Sequence, residues 1–427
     1  MVLKNILFII VFFCYLIFAN ISFSSQIFDY ETEVFVNKLL NNIKEVNKFK
    51  KDIKINVIRD DNPNAFVLTN NRMIISSGLI EQAPDYVSLL AVLAHEVGHL
   101  YYLHLEKREN SIEQLTKLNL LTNIAAITGG ILADEPQILA GSIASKANIN
   151  NFYLSFSREQ EREADLYSIK TLQNLKLPAN SVIELLKILE QNALSKGFDE
   201  EYQKFSTHPI FRERYQIIEN NTPNDKFNYN ENTQNEFNFI KAKFLGFNDK
   251  SSLGTLKNDP KVYFESIKES KSGNFKSSLK KINFLINKYP EYLFLLETKG
   301  DILRSHGYVS ESLKFYKIVL KKYPNNNYIK YRIFLDTKIK KIEKKEKNNF
   351  FDNNVNLLIQ FPGNKYIINK FIEIAKILDK EYWVDFLNII NQSNELKKQD
   401  FKEKLFTLSE KTNDKKLKKI IYEYIKI

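Results

Sequence analysis

The stretch LLAVLAHEVGHL, Leu89 to Leu100, decides how the chain is read. Its run of Leu, Val and Ala predicts one long buried helix from Asp85 to about Glu106. His95 and His99 stand four residues apart. On a helix, both imidazoles leave the same face and can take two corners of a zinc tetrahedron. Glu96, beside the first histidine, can serve as general base toward a metal-activated water without being a ligand. The chain has only 5 histidines, and a merely solvated pair would avoid so apolar a helix.

The third ligand decides the class. A metzincin would need glycine at position 102 and histidine at 105, where Tyr102 and Leu105 stand. His104 misses that register by one residue and reads as an ordinary helix-end histidine. A carboxylate from a later helix is the alternative, and SREQEREAD, Ser157 to Asp165, offers one. Glu161 and Asp165 share a helical face. Glu161 can complete a His₂Glu site, and Asp165 can accept the outer N–H of a zinc-bound histidine. Glu159 and Glu163 point from other faces and read as decoys. Alone, so charged a run would be a solvated helix; beside HEVGH it reads as the rest of a metal site.

Working outward, Tyr30 to Phe49 has helical apolar spacing, and Ile53–Ile58, Ala65–Leu68 and Met73–Ser76 read as short strands. Further helices are expected at Ser157–Lys176, at Ala179–Ser195 and from Pro209 to Ile218. Leu115 to Ile149 is apolar, small and interrupted by Gly129-Gly130 and Pro136, too broken for a membrane span. It reads as a helical hairpin that is either buried core or a cover touching the site or a membrane surface. The N-terminus reads as an export signal over residues 1–24, with Lys4 before an apolar run from Ile6 to Phe18. An uncleaved anchor is the alternative. Cys14, the single cysteine, lies within that segment, so the exported chain would be free of thiols, as suits a periplasm.

The expected domains are a peptidase at 25–221, a linker at 222–258 rich in Asn and Asp, and a helical repeat domain at 259–427. Gly273 and Gly307 are 34 residues apart, as are Ser278 and Ser312, Tyr289 and Tyr323, and Pro290 and Pro324. That period is the signature of tetratricopeptide helix–turn–helix repeats. Charge separates the halves. Residues 1–250 hold 26 Lys+Arg against 30 Asp+Glu, leaving 62−26 = 36 against 51−30 = 21 for residues 251–427, a net +15. Such an excess suits anionic partners, but it reads first as solvation of helix faces. With no phosphate loop, zinc knuckle or nucleic-acid module, no nucleic-acid binding is expected.

HEVGH, FSREQEREAD and STHPIFRER together resemble the BepA-like exported branch of the CAAX-prenyl-protease and HtpX-like zinc metallopeptidases, which joins such a peptidase to tetratricopeptide repeats. The resemblance includes Asn64-Ala65-Phe66 and the strand ending in Ser77-Gly78. It implies one zinc ion per chain on His95, His99 and Glu161, with Asp165 behind them. It also directs attention to His208, which could approach the open zinc position, and to Arg214, which could donate to a developing oxyanion. Local capping and surface pairing are the rival readings of both. Asn64, Ala65 and Phe66 would pair with an extended substrate along a strand edge.

The fold expected is thus α+β, mainly helical: a zincin-type peptidase domain followed by an α-solenoid. The function expected is a periplasmic zinc endopeptidase. Its substrates would be unfolded or misassembled proteins, in quality control or assembly of outer-membrane proteins, with the repeats engaging the β-barrel assembly machinery. The rivals are a chaperone or scaffold working through the repeats, and a membrane-anchored protease.

Overall fold

A computed structural model describes residues 26–68, 70–107, 156–195, 212–220, 228–248, 256–341, 343–393 and 396–426. The chain divides into two compact units, residues 1–245 and 246–427. The expected export signal, the apolar segment 115–149 and His208 lie outside the described residues. Among the described residues, no helix is long and apolar enough to cross a membrane.

In the first unit, strand β1 (Gln26–Ile27) leads into helix α1 (Tyr30–Asn47), whose N-terminus is capped by Asp29 accepting from the Thr32 amide. Phe35, Val36, Leu39, Leu40 and Ile43 recur at helical spacing and are buried in one core. Strands β2 (Lys54–Ile58), β3 (Ala65–Leu68) and β4 (Arg72–Ser76) complete a sheet of order β1-β2-β4-β3. The β2–β4 pair is parallel, running from Lys54 opposite Arg72 to Ile58 opposite Ser76, and the other pairs are antiparallel. Among the described residues β3 is therefore an edge strand, and its other neighbour is the HEVGH helix.

Ser76 turns the sheet into helix. Its hydroxyl accepts from the amides of Leu79 and Asn64, and helix α2 (Ser77–Gln82) begins at once. Helix α3 (Tyr86–Tyr101) starts with a reciprocal capping box between Asp85 and Ser88. Helix α4 (Arg158–Leu175) starts with another, between Ser157 and Gln160. These two helices pack closely, with Ser168 donating to the Ala91 carbonyl at 2.7 Å. Helices α5 (Asn180–Ser195) and α6 (Arg212–Asn220) lie beside them.

Two expectations need correction. The HEVGH helix ends at Tyr101, not near Glu106, because Leu103 takes a left-handed conformation with φ 57°. The expected linker 222–258 contains helix α7 (Glu231–Phe247), and the division between units falls within that stretch. Low apolar periodicity hid α7, but long-range contacts hold it. Phe237 stacks on Phe35 at 5.8 Å, the Tyr86 amide donates to Gln234, Lys241 donates to the Ala83 carbonyl, and Lys243 pairs with Asp29 and Glu31.

The second unit is helical throughout its described residues. Helices α8 (Asn258–Lys271) and α9 (Phe275–Lys288) form one hairpin, and α10 (Phe294–Ser305) and α11 (Val309–Lys322) the next. Gly273 and Gly307 make the two turns at φ 84° and 86°, where L-residues are strained. Ser278 and Ser312 are buried at the equivalent close approaches. Tyr316 lies across Gly300, where an added Cβ would come within 2.5 Å of the ring. Helix α12 (Asn327–Asp336) continues the series. The later helices α13 (Lys344–Asn354), α14 (Leu357–Gln360), α15 (Lys365–Ile377), α16 (Glu381–Asn391), α17 (Lys398–Lys411) and α18 (Lys415–Lys426) include two further packed pairs, α15 with α16 and α17 with α18.

Candidate metal centre

His95 and His99 leave α3 one turn apart, and α4 delivers Glu161 opposite them. All three are buried. The His95 and His99 Nε2 atoms are 3.1 Å apart, His95 Nε2 is 3.4 Å from Glu161 Oε2, and His99 Nε2 is 3.5 Å from Glu161 Oε1. A tetrahedral zinc with ligands at about 2.0–2.1 Å has edges of about 3.3–3.4 Å. The donor set therefore fits a zinc ion in both chemistry and size. Gly98 makes the approach of the two helices feasible. A Cβ there would stand 3.1 Å from the Ala164 Cα and 3.2 Å from the Tyr167 Cβ.

The outer faces of the histidines are also held. His95 Nδ1 donates to Asp165 Oδ1 at 2.9 Å, which leaves Nε2 to face the centre. Asp165 in turn accepts from Arg214 Nε at 2.7 Å and Nη2 at 2.6 Å. Burial pushes the Asp165 carboxyl upward, but the Arg214 charge and the His95 hydrogen bond outweigh it and hold the group below its usual range. Burial pushes His95 downward, yet hydrogen bonds and charges from Asp165 and Glu161 raise it to about 9. The cluster thus has a strong appetite for a cation.

The remaining sequence candidates are placed as follows. Glu96 follows His95 on α3 and is buried, with its charge acting on Arg214. Arg214, expected to face substrate, has Nε and Nη2 engaged by Asp165, and its Nη1 lies 3.6 Å from Glu161 Oε2. Asn64 exchanges hydrogen bonds with Ser76, and Ala65 and Phe66 pair with Ile75 and Ile74 of β4, on the edge strand beside α3. Two residues set aside on sequence belong to the cluster. His104, fully buried, meets His99 Nδ1 through its own Nδ1 at 2.9 Å, and its Nε2 donates to Glu163 Oε2 at 2.8 Å. The left-handed Leu103 turns His104 back toward α3, and no sequence signal marks that turn. Phe156 stacks on His99 with ring centroids 3.8 Å apart.

Comparison with known proteins agrees with this geometry. Residues 33–222 match the model of peptidase family M48. A beta-barrel assembly-enhancing protease of Yersinia pestis is 23% identical over 285 residues, covering 63% of this chain and 57% of that protein. A mitochondrial metalloendopeptidase OMA1 of Schizosaccharomyces pombe is 27% identical over 190 residues, covering 44% and 52%. The beta-barrel assembly-enhancing protease of Escherichia coli is 26% identical over 180 residues, covering 41% and 36%. The match thus spans about a third to just over half of these relatives' own length. On motif, on geometry and on these matches, residues 33–222 match peptidase family M48 and resemble the BepA-like metallopeptidases, with a zincin-type metal site, and the described residues of the second unit are helical.

Proposed function

We propose that the chain is a zinc metalloendopeptidase acting on protein substrates. The observation that carries this is the His95, His99 and Glu161 triangle with near-tetrahedral edges, next to the buried Glu96. A bound zinc supplies Lewis acidity, polarising the scissile carbonyl and bringing the pKa of its water to about 7. Glu96 takes the proton of the attacking water and passes it to the leaving amine. Asp165 keeps the His95 Nε2 lone pair on the centre, and Arg214 keeps Asp165 ionised. Edge strand β3, at Asn64, Ala65 and Phe66, receives an extended peptide through its backbone groups. His208, which lies outside the described residues, is assigned a part in restraining or assisting the reaction on the sequence resemblance alone.

The names of the Yersinia and Escherichia relatives support a protease working in beta-barrel assembly, and the apolar N-terminal run supports export, which together fit a periplasmic enzyme of outer-membrane protein assembly. The second unit supports recruitment of a client or of the assembly machinery through tetratricopeptide-like repeats: its first two hairpins share glycine turns and buried serines at 34-residue spacing. A chaperone or scaffold reading has the same repeat surface in its favour, and Glu96 separates the two. In Glu96→Gln, zinc content and fold should persist while casein cleavage falls by roughly 10²–10⁴-fold, the usual worth of a general base. Full cleavage by that variant would end the peptidase mechanism, and a client phenotype untouched by it would favour the scaffold.

A further inference from the structure

We infer that His104 and Glu163 form a positioning relay that fixes the tautomer and orientation of His99. The inference rests on the metallopeptidase reading for its purpose, but not for its geometry.

The direction of the relay follows from elementary bookkeeping of protons. Glu163 Oε2 can only accept when ionised, so the 2.8 Å contact requires the proton on His104 Nε2. A neutral His104 then carries a lone pair on Nδ1. At 2.9 Å from that lone pair, His99 Nδ1 must be the donor. His99 is thereby left with an unprotonated Nε2, the atom that faces His95 Nε2 and Glu161. His99 thus receives from a histidine and a glutamate what His95 receives from Asp165 and Arg214: a fixed acceptor behind the ring and a charged group behind the acceptor.

Three further features show that this is a built arrangement. His104 and His99 are each 0% exposed, so water cannot substitute as the acceptor. Leu103 adopts φ 57°, a left-handed conformation that a non-glycine residue enters only at a cost, and this turn returns His104 to the helix it has just left. Phe156 covers His99 with its ring face, which leaves the imidazole edge to the relay.

The test uses the full chain in three variants. His104→Phe keeps a ring but deletes the acceptor, His104→Asn keeps an acceptor at the Nδ1 position, and Glu163→Gln keeps an acceptor for His104 Nε2. Zinc affinity is measured against a competing chelator. His104→Phe should bind zinc roughly 10–100-fold more weakly, the usual cost of losing such support, with Asn restoring most of the loss and Glu163→Gln, which keeps an acceptor but removes the charge, weakening zinc by less than His104→Phe does. Ring ¹⁵N NMR of the metal-free wild type should find His99 protonated at Nδ1, and His104→Phe should lose that preference while keeping a native urea transition. A wild-type His99 protonated at Nε2, or His104→Phe with unchanged zinc affinity, overturns the relay. Failure of the wild type to bind zinc or cleave protein would overturn the proposed function instead, and the NMR result would still decide the relay.

Discussion

Arg214 and Asp165 form a two-pronged ion pair in the interior of the peptidase unit, with Nε and Nη2 at 2.7 and 2.6 Å from the two carboxylate oxygens. Neither residue exposes as much as a tenth of its surface. Removing one partner of such a pair strands a buried charge, at about 3–5 kcal/mol. Arg214→Met should therefore lose stability of that order in urea unfolding and also bind zinc more weakly, as Asp165 shifts toward its protonated form. Lysine should not rescue, since it lacks the planar fork. If Arg214→Met kept both stability and zinc while lowering only kcat/KM, the residue would be a substrate contact after all.

Metal removal should read out in stability. A ligand that binds only the folded state stabilises it by about 4.1 kcal/mol when present at 1,000 times its Kd. Chelation should lower the Tm of the first unit by several degrees, and zinc should restore it. His95→Ala should abolish the zinc-dependent part of that shift. An unchanged Tm in EDTA and in excess zinc would mean that no ion binds the cluster.

The histidine face of α3 and the Glu161–Asp165 face of α4 were legible in sequence because an i, i+4 spacing on a helix is itself a geometric statement. Strands β2, β3 and β4 were legible to within a residue for a similar reason, whereas the two-residue β1 is too short to show an alternation. His104 was not, because its place depends on a left-handed leucine that no residue preference announces. Helix α7 was missed because its stability comes from distant partners, such as Tyr86, 148 positions from Gln234, and Phe35, 237−35 = 202 positions from Phe237, and not from its own apolar spacing. Glu163 looked idle because its partner had not been placed.

Lys241, on α7, offers a test of that packing. Burial drives its ammonium down from 10.5 to about 8. Below pH 8 both folded and unfolded chains hold the proton, so the burial penalty is fully present. Between pH 8 and 10.5 the folded chain releases its proton first, and stability contributed by this site rises with pH. The difference in unfolding free energy between wild type and Lys241→Met should therefore shift in favour of wild type across that window by about 2–3 kcal/mol. A pH-independent difference would place Lys241 in water.

In the repeat unit, Gly300→Ala and Gly307→Ala should fail for different reasons. The first drives a methyl into the Tyr316 ring at 2.5 Å, and overpacking of this kind costs about 1–3 kcal/mol. The second meets nothing within 4 Å but must hold φ 86°, a backbone penalty of about 1 kcal/mol. Tyr316→Leu should relieve Gly300→Ala and leave Gly307→Ala unaffected. Equal rescue of both would show that Tyr316 does not fill the Gly300 notch.

Gly98 lies between the two histidines of the motif, with its missing side chain against Ala164 on the facing helix. It works as a gauge block: the thickness of one absent methyl sets how far Glu161 stands from the two imidazoles. Thickening the block to alanine would part the helices by a few tenths of an ångström and lengthen two edges of the triangle while leaving the third, within α3, as it is. The choice of ion is thus written partly in a residue that bears no ligand, and an engineer seeking a site for a larger cation would begin there.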